Sequence, residues 1–175
     1  MADESSLDQR RFEVLYLRLE KPVFNVVYRW LWSADDARDV TQEAFMKVWA
    51  ARARVRPETV EPLVFKSALN LASNRLRVKR VRRFFSLDDA ADAVDLRADA
   101  VANLSSAQQR LAVRRAIEAL PTKLREVVVL CELSGLSTSQ IAEALGIPPG
   151  TVGSRKHQAM ALLEQALGPM VEEVS

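Results

Sequence analysis

The sequence predicts an all-α protein made of two small helical domains joined by a flexible linker. Three observations carry that reading. Only five glycines occur in 175 residues, while Ala, Leu, Arg and Glu are abundant, a composition that favours helix. Apolar residues recur at three- and four-residue spacing through both ends of the chain. The charge also changes sign abruptly: residues 1–83 hold 17 Lys/Arg against 11 Asp/Glu, residues 84–107 one Arg against five Asp, and residues 108–175 seven of each. The change of sign at Phe84 suggests a domain edge with an acidic linker after it, and the chain is read as a first domain over 1–84, a linker over 85–107, a second domain over 108–168 and a tail over 169–175.

Composition excludes several classes of function. A single cysteine, Cys131, allows no internal disulfide, and a single histidine, His157, argues against a zinc site, so no metal or other cofactor is expected. No apolar run approaches the roughly 18 residues of a membrane span. The opening "MADESSLDQRR" is acidic and polar, unlike a secretory signal. The expectation is a soluble, cytoplasmic protein.

The first element is "LDQRRFEVLYLRLEKPVFNVVYRWLW", with Phe12, Leu15, Leu19, Val23, Val26, Val27 and Trp30 on one stripe. The segment reads as one or two helices, with Pro22 expected to start the second, because its missing N–H is harmless in a first turn. Ser33 followed by "ADDARD" reads as a hydroxyl cap with acids against the positive end of the next helix. That helix places Ala37, Val40, Ala44, Val48 and Ala51 inward, widened by Phe45 and Trp49. Asp39, Glu43 and Lys47 form a polar row, which spacing alone reads either as a partner contact or as a solvated pair worth about 0.2–0.5 kcal/mol.

Glu61-Pro62 opens a further helix with Leu63, Ala68, Leu71 and Leu76 as its inner face. Its end packs Arg75, Arg77, Lys79, Arg80, Arg82 and Arg83 into nine residues with no acid among them. Helical geometry spreads these around most of the circumference. The negative helix end accommodates one or two cations; six point to nucleic-acid phosphate. Asn70, Ser73 and Asn74 lie just upstream, with groups suited to base edges or phosphates. Phe84 and Phe85 could stack on bases or seal the end of the domain.

In the second domain, Leu111, Ile117 and Leu120 mark a helix stopped near Pro121. Thr122 is expected to cap "TKLREVVVLCEL", whose core is Val127, Val128 and Leu130 and in which Cys131 reads as a small buried apolar residue. Ser137 and Gln140 fit a capping box. Ile141, Ala142 and Leu145 face inward, Gly146 permits the left-handed stop, and Pro148 or Pro149 starts the next helix. This is the layout of a helix-turn-helix. Val152, Ala159 and Leu163 hold the last helix to its core. Thr151, Ser154, Arg155, His157 and Gln158 are left facing outward, the equipment for reading a major groove. The same layout also occurs as plain packing in all-α domains.

Assembled, the chain resembles bacterial RNA polymerase sigma factors of the extracytoplasmic-function type over roughly residues 10–168. "DARDVTQEAFMKVW" is similar to the polymerase-binding motif of the family's second region. "ALNLASNRLR" resembles the helix that handles the start-proximal promoter element. "ALPTKLREVVVLCELSGLSTSQIAEALGIPPGTVGSR" resembles the fourth region, which binds the upstream element. The resemblance implies that Asp39, Gln42, Glu43 and Lys47 meet core RNA polymerase. It implies that Asn70, Asn74, Arg75 and Arg77, with the neighbouring Lys79 and Arg80, engage the start-proximal element of promoter DNA, largely on a separated strand. Thr151, Ser154 and Arg155 would contact the upstream element as duplex. It further implies an anti-sigma factor as partner, no covalent chemistry, and a monomer when free of partners.

Departures from the family pattern fall at Leu63, Asn74 and Trp32-Ser33, and in the last helix. "TVGSRKHQAM" stands where the family commonly has "TVKSRLHRAR". Fewer cations weaken the sequence-independent phosphate attraction, and Gly153 costs about 1 kcal/mol of helix stability against Ala. Two other functions fit parts of the sequence: a stand-alone helix-turn-helix regulator, and a polymerase-binding adaptor without promoter reading.

Overall fold

The computed structural model describes residues 7–85 and 104–172. Among these residues there are seven α-helices and no strand: α1 (Gln9–Leu31), α2 (Ala34–Ala50), α3 (Val60–Phe85), α4 (Leu104–Ala119), α5 (Thr122–Leu133), α6 (Thr138–Leu145) and α7 (Pro149–Glu172). Helices α1, α2 and α3 pack on one another as a first bundle, and α4 to α7 form a second around α7. The acidic linker expected over 85–107 lies mostly outside the described residues; Phe85 still belongs to α3, and α4 begins at Leu104.

Helix α1 is continuous, with Pro22 inside it rather than at a new start. The stripe Leu15, Leu19, Val23, Val26, Val27 and Trp30 is buried on both sides of the proline. Tertiary burial of that face outweighs the roughly 3 kcal/mol that an interior proline costs. Asp8 caps the start, and Trp32 ends the helix in a left-handed conformation at φ 53°. Ser33 caps α2 through the Asp36 N–H. Ala37, Val40, Ala44, Phe45 and Val48 are buried as the periodicity predicts, but Ala51 is exposed, because the α-helix stops at Ala50 and a short 3₁₀ turn follows.

In α3 the inner face is Val64, Phe65, Ala68, Leu69 and Ala72, with Leu63, Leu71 and Leu76 only half-buried. The predicted stripe was therefore rotated toward its rim. An ion pair between Arg18 and Glu61 ties α1 to the start of α3. Helix α5 starts after Pro121 without a side-chain cap, so Thr122 occupies the first turn instead of capping it. The capping box of Ser137 and Gln140 is complete, and Gly146 closes α6 at φ 65°.

The two bundles do not stand apart. Helix α6 packs on α3, and α1 meets α4 and α5. The buried apolar residues of both form one continuous cluster, from Leu15 and Val27 through Leu69 and Ala72 to Val128 and Ile141. Arg125 crosses the seam. Its Nη2 donates to the Arg29 carbonyl at 2.5 Å and the Trp30 carbonyl at 2.9 Å, and its guanidinium lies 4.5 Å from the Trp30 ring centroid. Those carbonyls belong to the last turn of α1, where helical carbonyls run out of intrahelical donors and carry partial negative charge.

Candidate nucleic-acid interface

The cationic end of α3 is not uniformly solvated. Asn70, Asn74, Arg77 and Arg80 are exposed, and Arg77 donates to the Asn74 side chain at 2.8 Å. Arg75 and Lys79, four residues apart on one face, turn instead toward α2 and converge on Asp36. Arg75 Nη1 lies 3.1 Å from Oδ1 and Lys79 Nζ 2.6 Å from Oδ2. Burial alone would raise the Asp36 pKa. The bond and charge of Lys79, the Ser33 hydroxyl and the charge of Arg75 more than offset it, holding the carboxyl below its ordinary value.

Helix α2 forms a ridge between two grooves. On one side a groove of about 460 Å³ is lined by Asp36, Glu43 and Lys47 from α2 and by Asn74, Arg75, Lys79 and Arg82 from α3. On the other, a groove of about 560 Å³ is lined by Tyr16, Phe24 and Glu20 from α1 and by Arg38, Thr41 and Gln42 from α2. Asp39, Gln42, Glu43 and Lys47 all point to solvent along the crest, with Met46 exposed between them. Glu43 and Lys47 pair at 3.2 Å, and Asp39 reaches Arg75 at 3.5 Å. The structure thus brings Glu43 and Lys47, expected to meet polymerase, and Asn74, Arg75 and Lys79, expected to meet DNA, to opposite walls of one cleft, while Gln42 lines the other groove and Arg80 turns toward Arg114 and Arg125.

The second group lies on α7. Val152 and Ala159 are buried and fix the helix against its bundle. Ser154, His157 and Gln158 are exposed; Thr151 and Arg155 are half-buried. Ser154 donates to the Thr151 carbonyl at 3.2 Å, a bond local to the helix. Arg155 faces Glu126, whose carboxyl is pushed up by burial, an effect partly countered by Arg155 and Lys123. Lys156, at a position where the resemblance places leucine, extends its ammonium to Glu132 on α5 at 2.9 Å. Cys131 is half-buried, and burial raises its thiol pKa, which disfavours the nucleophilic thiolate.

Sequence reasoning missed Asp36 and Arg125. Asp36 read as one of two acids at a helix start, and its partners lie 39 and 43 residues away. Arg125 carried a usable signal: a lone cation in line with Val128 and Val129 on the buried stripe of α5.

Comparison with known proteins gives these surfaces a context. Residues 15–82 match the model of Sigma-70 region 2, and residues 110–163 that of Sigma-70, region 4. The RNA polymerase sigma-H factor of Pseudomonas aeruginosa is 32% identical over 95% of this chain and 91% of its own length. The ECF RNA polymerase sigma-E factor of Escherichia coli K12 is 34% identical over 94% of this chain and 90% of its own. Among solved structures, RpoE of Bartonella quintana, in complex with the anti-sigma factor NepR, shares the fold with a TM-score of 0.69 at 21% identity, covering 91% of this chain and 98% of that one. CnrH, in complex with the cytosolic domain of CnrY, does so with a TM-score of 0.67 at 23% identity, covering 93% and 90%. With both regions in order along one chain and relatives matched nearly end to end, the protein belongs to the RNA polymerase sigma factors of the ECF type.

Proposed function

We propose that this sigma factor binds core RNA polymerase through Asp39, Gln42, Glu43 and Lys47 and directs it to promoters with two separate helical surfaces. Asn70, Asn74, Arg75, Arg77, Lys79 and Arg80 engage the start-proximal element as it opens. Thr151, Ser154, Arg155, His157 and Gln158 meet the upstream element as duplex. The functional divisions follow the sequence boundaries: a polymerase-binding domain over 1–84, a linker over 85–107, a helix-turn-helix domain over 108–168 and a tail over 169–175. The protein carries out no covalent chemistry, works in the cytoplasm where polymerase is, and is a monomer when free of partners.

The observation that supports this reading most directly is the cleft between α2 and α3. Solvent-exposed polar residues on one wall face a cationic helix on the other, within a chain that carries both sigma regions. Tethering by polymerase raises the local concentration of each DNA-reading surface, which compensates for the sparse cations of α7. Control by an anti-sigma factor is part of the proposal. Two proteins of the same fold, RpoE and CnrH, are known in complex with NepR and the CnrY cytosolic domain. The test is transcription by purified core enzyme plus this protein on a genomic library, with the start sites sequenced. Transcripts from a defined promoter set are expected, and core association without such transcripts would overturn promoter reading.

A further inference from the structure

Asp36 lies at the foot of the α2–α3 cleft. Its backbone N–H is fixed by the Ser33 cap, and its two carboxylate oxygens are divided between Arg75 and Lys79. Those cations sit at i and i+4 on α3, close enough to repel each other and swing apart if nothing stood between them. The carboxylate uses a small part of what they offer. A guanidinium has five N–H donors and an ammonium three. Side-chain exposure falls to 22% at Asp36 but stays at 33% at Arg75 and 37% at Lys79. The acid is therefore the inner member, and the cations keep donors facing the cleft with their rotamers set.

The neighbouring Asp35 supplies a built-in comparison. It stands in the same first turn, also suits the helix dipole, is 92% exposed and pairs only locally with Arg38 at 2.8 Å. Long-range contact with α3 distinguishes Asp36 from it.

We infer that Asp36 is a positioning residue for promoter opening: it orders Arg75 and Lys79 so that their free donors meet the promoter strand in a defined geometry. This rests on the reading of α3 as the start-proximal promoter surface. Ordering and bare charge have opposite consequences. Loss of the carboxylate adds net positive charge, which strengthens attachment to any phosphate backbone. It also frees Lys79 and leaves Arg75 only the longer contact to the exposed Asp39 at 3.5 Å, so both side chains sample more rotamers, which weakens productive contact at a particular element.

The experiment uses the full chain with core RNA polymerase and a promoter recovered by library transcription. Asp36→Asn, Asp36→Glu, Asp35→Asn and the double variant Arg75→Ala/Lys79→Ala are compared. Three quantities are read: affinity for core enzyme, affinity for a duplex lacking any promoter, and open complexes scored by permanganate reactivity of unpaired thymines. For Asp36→Asn, core affinity is expected within about twofold of the parent. Non-promoter affinity should be equal or up to about threefold higher, and open complexes reduced about tenfold. Asp36→Glu retains most opening, and Asp35→Asn changes none of the three. Normal opening by Asp36→Asn alongside failure of the double variant overturns the positioning role and leaves the promoter reading intact. Normal opening by the double variant overturns the promoter reading of α3 itself. A parallel loss of all three quantities in Asp36→Asn, or equal defects in Asp36→Glu, marks a role in folding or simple packing and also overturns the inference.

Discussion

Replacing Arg125 with alanine should separate the two bundles without unfolding either. Its side-chain hydrogen bonds to the Arg29 and Trp30 carbonyls cross the seam, its backbone bond to Pro121 survives truncation, and within its own bundle the guanidinium gives up only the charge attraction of Glu118. Each charge-assisted bond contributes about 1.5–3 kcal/mol, and the stacking over Trp30 about 0.5–2 kcal/mol. Against this stands the desolvation of the guanidinium of a residue only 9% exposed, a cost visible in its pKa, which burial lowers to about 10. The group is still charged at neutral pH. Truncation returns the desolvation cost but strands two carbonyls at roughly 1–3 kcal/mol each where the seam stays closed. A net loss of about 3 kcal/mol from docking follows, a shift of roughly 100-fold in the docked-to-separated ratio. Single-molecule energy transfer between dyes at the exposed positions Asp35 and Glu164 would report it as a new population at longer distance. Arg125→Lys keeps the charge but loses the fork and should fall between the two. An unchanged distance distribution for Arg125→Ala, including under mild denaturant, would refute the argument that this side chain holds the seam.

Gly153 has no heavy atom within 4 Å of where a Cβ would stand. Gly153→Ala should therefore raise stability by about 1 kcal/mol in a thermal melt. Gly153→Lys should in addition tighten duplex binding and steepen its salt dependence by about one unit of slope, measured by titration at several ionic strengths. Glu43→Lys, at an exposed position, should leave the melting temperature unchanged while reducing core-enzyme association more than about tenfold in a pull-down. The Asp36 pKa is lowered from 3.8 in the folded protein, so its ion pairs contribute fully above that value. Their contribution is lost as pH falls through the lower folded value. Parent and Asp36→Asn denaturation midpoints should accordingly converge only in strong acid.

What the sequence made legible was local. The Ser33 cap, the Ser137–Gln140 capping box and the Gly146 stop are each decided within four residues, and each is present. Continuous helix through Pro22 was not legible, because only the burial of Val23 and Val26 against other helices decides it. The orientation of α3 was nearly right, but Leu69 and Ala72 face inward where Leu71 was expected to, because α3 is wedged between α1, α2 and α6. The docking of α6 on α3 has no signature of its own; its residues read as ordinary core for their own bundles. Among the candidate residues, the cations of α3 stood out by number. The turn of Arg75 and Lys79 toward Asp36, while Arg77 and Arg80 stay exposed, depends on contacts some forty residues apart, which no local pattern encodes.

Two of the three tryptophans stand at the seam. Trp30 lies under Arg125, and Trp32, held left-handed at the end of α1, lies 5.2 Å from the Arg29 guanidinium and 5.4 Å from that of Arg114 on α4. Trp49 sits far along α2 beside Phe12. The protein consequently carries an intrinsic optical gauge of its own conformation. When the bundles part, two indoles pass from cation-covered shelter into water while the remaining one keeps its surroundings. The colour of the ultraviolet emission then follows the opening in real time, with no label attached.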